Sequence, residues 1–69
     1  MNKLKVCLIG YGYWGPKLAR NFQNSNYFKL ISVSDKSKLN LLRAKKDFPF
    51  ITTSKDYKKT ITDNIDLVV

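Results

Sequence analysis

Apolar residues fall along this 69-residue chain in short blocks that alternate between two rhythms. Lys5-Val6-Cys7-Leu8-Ile9 is a brief β-prone run, and its spacing predicts a buried strand over about Leu4–Ile9. After a glycine-rich turn, Leu18, Ala19 and Phe22 fall on one face at helical spacing, predicting a helix that runs to about Gln23. Asn24-Ser25-Asn26 is a polar stop, and Phe28–Ser34 alternates before turning apolar, as a second strand beside the first would. A second helix is expected from Lys36 to about Asp47, with Leu39, Leu42 and Phe48 as its apolar stripe. Pro49 ends it, and Phe50-Ile51-Thr52 reads as a short third strand. Ser54 is placed to cap a brief helix over Lys55–Thr60, with Tyr57 and Ile61 turned inward. Asp63-Asn64 breaks that helix before a fourth strand, Ile65–Val69.

Strands alternating with helices imply an α/β fold with a parallel sheet and right-handed crossovers. The expected form is a partial Rossmann fold of about four strands in the order 3-2-1-4, with helices on both faces. A ligand is expected at the carboxyl ends of strands one and four, where the winding reverses.

The turn after strand one carries the candidate chemistry. Gly10-Tyr11-Gly12-Tyr13-Trp14-Gly15 reads G-x-G-x-x-G between a strand and a helix, the context that makes the pattern a dinucleotide fingerprint. Gly10 allows a tight turn, Gly12 lets the backbone approach a pyrophosphate, and Gly15 lets the helix pack closely. The first N–H groups of the helix have no intrahelical partner and sit at the positive end of its dipole, which suits a phosphate. Pro16 fits a first turn that needs no donor from it. The plain alternative is a strand-to-helix turn with no ligand.

The fingerprint also asks for an acidic residue about 20 positions further on, at the end of the next strand. Asp35 stands there, after Val33-Ser34. Its carboxylate can accept hydrogen bonds from both hydroxyls of an adenosine ribose and would repel a 2′-phosphate. NAD is therefore expected over NADP, although Lys36 next door narrows the gap. The competing reading makes Asp35 the N-cap of the second helix.

Composition changes little of this. The net charge is +8, from 13 basic and 5 acidic residues, which raises nucleic acid as a partner. The lysines are scattered, however, and arginine appears only as Arg20 and Arg43, so no specific nucleic-acid binding is expected. The single cysteine, Cys7, reads as a core hydrophobe, and the absence of histidine excludes a histidine metal or acid–base site within these residues. No stretch has the length and apolarity of a membrane span, and a cytoplasmic setting fits. A strand-like run at the end of so short a chain suggests the N-terminal part of something longer, inactive by itself as a catalyst.

The run Val6–Phe22, with its Gly-Tyr-Gly-Tyr-Trp-Gly-Pro core, resembles the opening of Gfo/Idh/MocA oxidoreductases. The likeness continues through Val33-Ser34-Asp35, Thr52–Tyr57 and Ile65–Val69, nearly the whole chain. The resemblance implies a nicotinamide-dependent enzyme acting on a secondary alcohol of a sugar, sugar nucleotide or cyclitol. It also implies a catalytic Glu-Lys-Pro motif and a second domain that completes the pocket and a homo-oligomer interface, none of which lies within these residues. The positions that carry over are Gly10, Tyr11, Gly12, Tyr13, Trp14, Gly15 and Asp35, with Lys36 as neighbour of the adenosine. Two other readings stay open: a non-catalytic NAD-sensing or nucleotide-binding remnant, and an S-adenosylmethionine methyltransferase, whose sheet also has a glycine turn and an acidic residue after strand two.

Overall fold

The computed structural model describes residues 3–69. Its elements follow the expected alternation: β1 (Leu4–Ile9), α1 (Gly15–Gln23), β2 (Phe28–Ser34), α2 (Lys38–Asp47), β3 (Thr52–Ser54), α3 (Tyr57–Thr60) and β4 (Leu67–Val68). All pairings are parallel and the sheet order is β3-β2-β1-β4, as the alternation predicts.

An irregularity in β2 decides which residues meet the core. Val6 pairs with Leu30, but Cys7 pairs with Ser32, so Ile31 is an extra residue in the ladder. Such a bulge resets the strict alternation of faces. Leu30 and Val33, three apart, both join a cluster with Leu8, Tyr11, Ala19 of α1, Ala44 of α2, and Ile51. Ser32 is turned instead to α3, where its hydroxyl donates to the Thr60 carbonyl at 3.1 Å. Thus α1 and α2 cover one face and α3 the other.

The helices approach the sheet through small residues. Ala19 and Ala44 are both fully buried, and a methyl group at the contact lets each helix backbone sit close. This displaces the apolar stripe expected for α2. Leu39 and Leu42 are exposed, whereas Leu41 and Phe48 pack beside Ala44. The helix also begins at Lys38 rather than Lys36, because the Ser37 hydroxyl caps it by accepting from the Asn40 N–H at 3.3 Å.

Beyond α2 the expected boundaries shift. Phe50 is 86% exposed in a turn, Ile51 drops into the core, and pairing begins only at Thr52. Lys45 Nζ donates to the Ile51 carbonyl and pins this turn. Asp56, not Ser54, caps α3 by accepting from the Lys58 N–H at 3.0 Å; Ser54 Oγ accepts from the Asp56 N–H one step earlier. In so short a helix the inward position goes to Thr60, leaving Tyr57 and Ile61 at the surface. The regular part of β4 is shorter than expected, though its ladder extends at both ends. Asp66 exchanges bonds with the Lys5 backbone, and Val69 bridges Cys7 and Ile9.

Candidate nucleotide-binding site

Gly10 leaves β1 with φ +98°, a conformation that disfavours any residue with a Cβ. Its N–H donates to the Ser34 carbonyl at 2.6 Å, so the turn departs from the sheet beside the end of β2. A Cβ on Gly15 would lie 2.9 Å from the Gly10 carbonyl oxygen and 3.3 Å from Tyr11 Cδ1. Gly15 is therefore required by the close fold of the turn onto α1. Gly12 differs, because a Cβ there would meet nothing within 4 Å. Nothing in the protein demands a glycine at that position.

The start of α1 keeps its donors. Trp14 occupies the cap position without a side-chain hydrogen bond to the helix, and Pro16 sits in the first turn. The Tyr13 and Trp14 rings stand at the surface, 82% and 63% exposed, edge to face with centroids 5.3 Å apart. Lys17 Nζ lies over both, 5.0 Å from the Trp14 ring centre and 5.8 Å from that of Tyr13. Tyr11 turns the other way. Its ring is 1% exposed in the core, and its hydroxyl donates to Asp47 at 2.6 Å. Burial first, then the bond to Asp47 and that group's charge, push the phenol's pKa upward against a pull from Arg20.

Asp35 links the glycine turn to the start of α2. Oδ2 accepts from the Tyr11 N–H at 2.6 Å and from the Asn40 amide at 3.2 Å, and Oδ1 accepts from the Ser37 N–H at 2.7 Å. Burial acts to raise its pKa, but the bonds from Ser37, Tyr11 and Asn40 outweigh it and hold the carboxyl below its ordinary value. Asp35 is not the cap of α2; Ser37 is. A carboxylate offers about four lone-pair sites, so Oδ1 has room for one further donor without displacing Asn40.

A cleft of about 290 Å³ opens beside this carboxylate, lined by Ile9, Gly10, Ser34, Asp35, Lys36, Lys55 and Tyr57. It lies at the carboxyl ends of β1, β2 and β3, on the β2 side of β1. Gly10, Asp35 and Lys36 share its wall; Gly12, Tyr13, Trp14 and Gly15 lie on the adjoining turn and the first residues of α1. Ile9, Ser34, Lys55 and Tyr57 were missed from sequence. Placing β3 at Thr52–Ser54 would have exposed Lys55, because Ser34 pairs with Ser54 and the next residues emerge side by side. The lysines are thus less scattered than their sequence positions imply, with Lys36 and Lys55 meeting at one cleft. Among the described residues no cluster of metal-ligating side chains occurs, and no helix is long and apolar enough to cross a membrane.

A parallel 3-2-1-4 sheet, a glycine turn into an uncapped helix and an acidic residue ending β2 define a partial Rossmann-type α/β fold. No family model matches the chain, and neither does a curated protein. Among solved structures, a myo-inositol 2-dehydrogenase from Lactobacillus plantarum is similar over 97% of this chain and 20% of its own, with 32% identity and a TM-score of 0.84. A candidate NADPH-dependent oxidoreductase from Desulfitobacterium hafniense is similar over 100% of this chain and 20% of its own, with 17% identity and a TM-score of 0.88. A point mutant of a 3-ketoreductase from Actinomadura kijaniata, in complex with TDP-benzene and NADP, is similar over 97% of this chain and 22% of its own, with 13% identity and a TM-score of 0.80. The first bears out the resemblance to the Gfo/Idh/MocA oxidoreductases, and the other two bear out the Rossmann fold. The chain spans about a fifth of the length of each of these structures.

Proposed function

We propose that this chain supplies the adenosine and pyrophosphate half of a nicotinamide-dinucleotide site. The parent activity would be an oxidoreductase acting on a secondary alcohol of a sugar, sugar nucleotide or cyclitol. The observation that carries the reading is the glycine turn, where a Cβ added to Gly12 would find open space within 4 Å and α1 begins without a side-chain cap. A pyrophosphate would lie against the backbone of Gly12–Gly15, where unpaired N–H groups and the helix dipole favour negative charge. The adenosine would enter the cleft, with a ribose hydroxyl donating to Asp35 Oδ1 and the half-exposed Tyr57 ring beside it. Asp35 gives NAD the preference, since a plain ribose brings donors and a 2′-phosphate brings like charge.

The bound nicotinamide would supply the hydride acceptor. The residues of this chain bind and orient the far end of that cofactor, which is a contribution of affinity and position and not of proton transfer. The test is a calorimetric titration of the protein with NAD and with ADP-ribose, which contains only the half proposed to bind here. Saturable one-to-one binding of both is expected. No heat from either ligand at millimolar concentration would overturn the proposal.

A further inference from the structure

The cleft is lined by two lysines and one aspartate, the lysines brought together by the sheet from positions 19 residues apart in sequence. Ser34 and Ser54 are paired at the end of the β2–β3 ladder, and the Asp35 N–H donates to the Ser54 carbonyl at 3.3 Å. Asp35 and Lys55 therefore leave adjacent strands as neighbours, at about the inter-strand spacing of 4.8 Å. Lys36 follows Asp35 and lines the same cleft.

The partners of the carboxylates matter here. Asp35 takes its hydrogen bonds from the Tyr11 and Ser37 N–H groups and the Asn40 amide, and among the described residues no lysine is one of its donors. Asp56, the acid next to Lys55, is turned to the Lys58 N–H as the cap of α3. Both nearby acids are thus engaged by donors other than lysine side chains, while Lys36 and Lys55 line the cleft.

We infer that Lys55, together with Lys36, is a specificity-determining residue that admits a 2′-phosphorylated adenosine to this cleft alongside the plain ribose. The inference rests on the dinucleotide reading above. Asp35 alone would repel the 2′-phosphate, but a phosphate at the ribose would lie against two ammonium groups and one carboxylate already engaged by three donors. The preference for NAD is then small, and NADP is retained as a second cofactor. Because Lys55 is solvent-exposed, its contribution is modest and falls with salt.

The experiment compares ADP-ribose with 2′-phospho-ADP-ribose by calorimetry, in the wild type and in Lys55→Ala and Lys59→Ala. The second variant removes the same charge from α3 at a residue that does not line the cleft. Wild type should bind the two ligands within about tenfold of each other. Lys55→Ala should weaken the phosphorylated ligand by about five- to tenfold and leave ADP-ribose within twofold, with an unchanged melting temperature. Lys59→Ala should change neither. Wild-type discrimination beyond about a hundredfold overturns the inference while leaving the dinucleotide reading intact. So does equal weakening of both ligands by Lys55→Ala, or an equal effect from Lys59→Ala. Failure of wild type to bind either ligand removes the dinucleotide reading, and this inference with it.

Discussion

The starts of α1 and α2 treat their orphan N–H groups in opposite ways. At α2 the Ser37 hydroxyl takes the Asn40 N–H, and Asp35 takes both the Ser37 N–H and the Asn40 amide. At α1 no side chain reaches back, and Pro16 in the first turn has no donor to satisfy. A helix start saturated by its own side chains has nothing to offer an anion; one left open does. Asp35 connects the two regions, since its second oxygen accepts the Tyr11 N–H from inside the glycine turn. The closed start thereby holds the open one in shape.

The largest break in this comparison comes from Gly15. Gly15→Val places a branched side chain where even one carbon would lie 2.9 Å from the Gly10 carbonyl oxygen, and Gly10 is itself tied to β2 through its N–H. Overpacking at such a contact costs about 2–3 kcal/mol. In a protein of this size that lowers the melting temperature by on the order of 10 °C or more. A variant melting with the wild type would show that α1 does not depend on the close turn.

Asp35→Asn comes next, by removing charge from the residue that joins the two starts. Three hydrogen bonds to a carboxylate become bonds to an amide, one side of which cannot accept, so a loss of about 1–2 kcal/mol at neutral pH is expected. The pH dependence sharpens the test. The native carboxyl lies below its ordinary value, so its contribution is complete above the ordinary aspartate pKa of about 4. It is lost as pH falls through the lowered native value. Melts between pH 7 and pH 2 should show the wild type losing its advantage over Asp35→Asn on the acid side. Parallel curves across that range would mean that Asp35 holds nothing in its charged form.

The sequence made the closed and open starts legible to different degrees. The glycine turn and β1 were readable because backbone geometry there depends on residue type, above all at Gly10. The sheet order followed from the alternation of elements. The face of α2 was not readable, because Leu39 and Leu42 are larger and more apolar than Ala44, yet close approach to the sheet selected the alanine. The extra residue at Ile31 was invisible too, since either register leaves apolar side chains on the core face. That Lys55 belongs to the cleft depended on where β3 begins, and a two-residue error in that boundary hid it.

The smallest effect on the fold is expected at Gly12, where the comparison is sharpest. A Cβ there has open space around it, and Gly12 is not among the residues with positive φ. Gly12→Ala should therefore change stability by no more than about 0.5 kcal/mol. If a pyrophosphate approaches the backbone at this point, the same methyl group stands in its path, and ADP-ribose affinity should fall by about tenfold or more, equivalent to about 1.4 kcal/mol. Paired melting and calorimetry on the one variant separate the two quantities. Unchanged melting with weakened binding marks Gly12 as kept for a ligand. Unchanged melting with unchanged binding would mean that the open start of α1 is solvated backbone, and the pyrophosphate site would have to be sought elsewhere on the molecule.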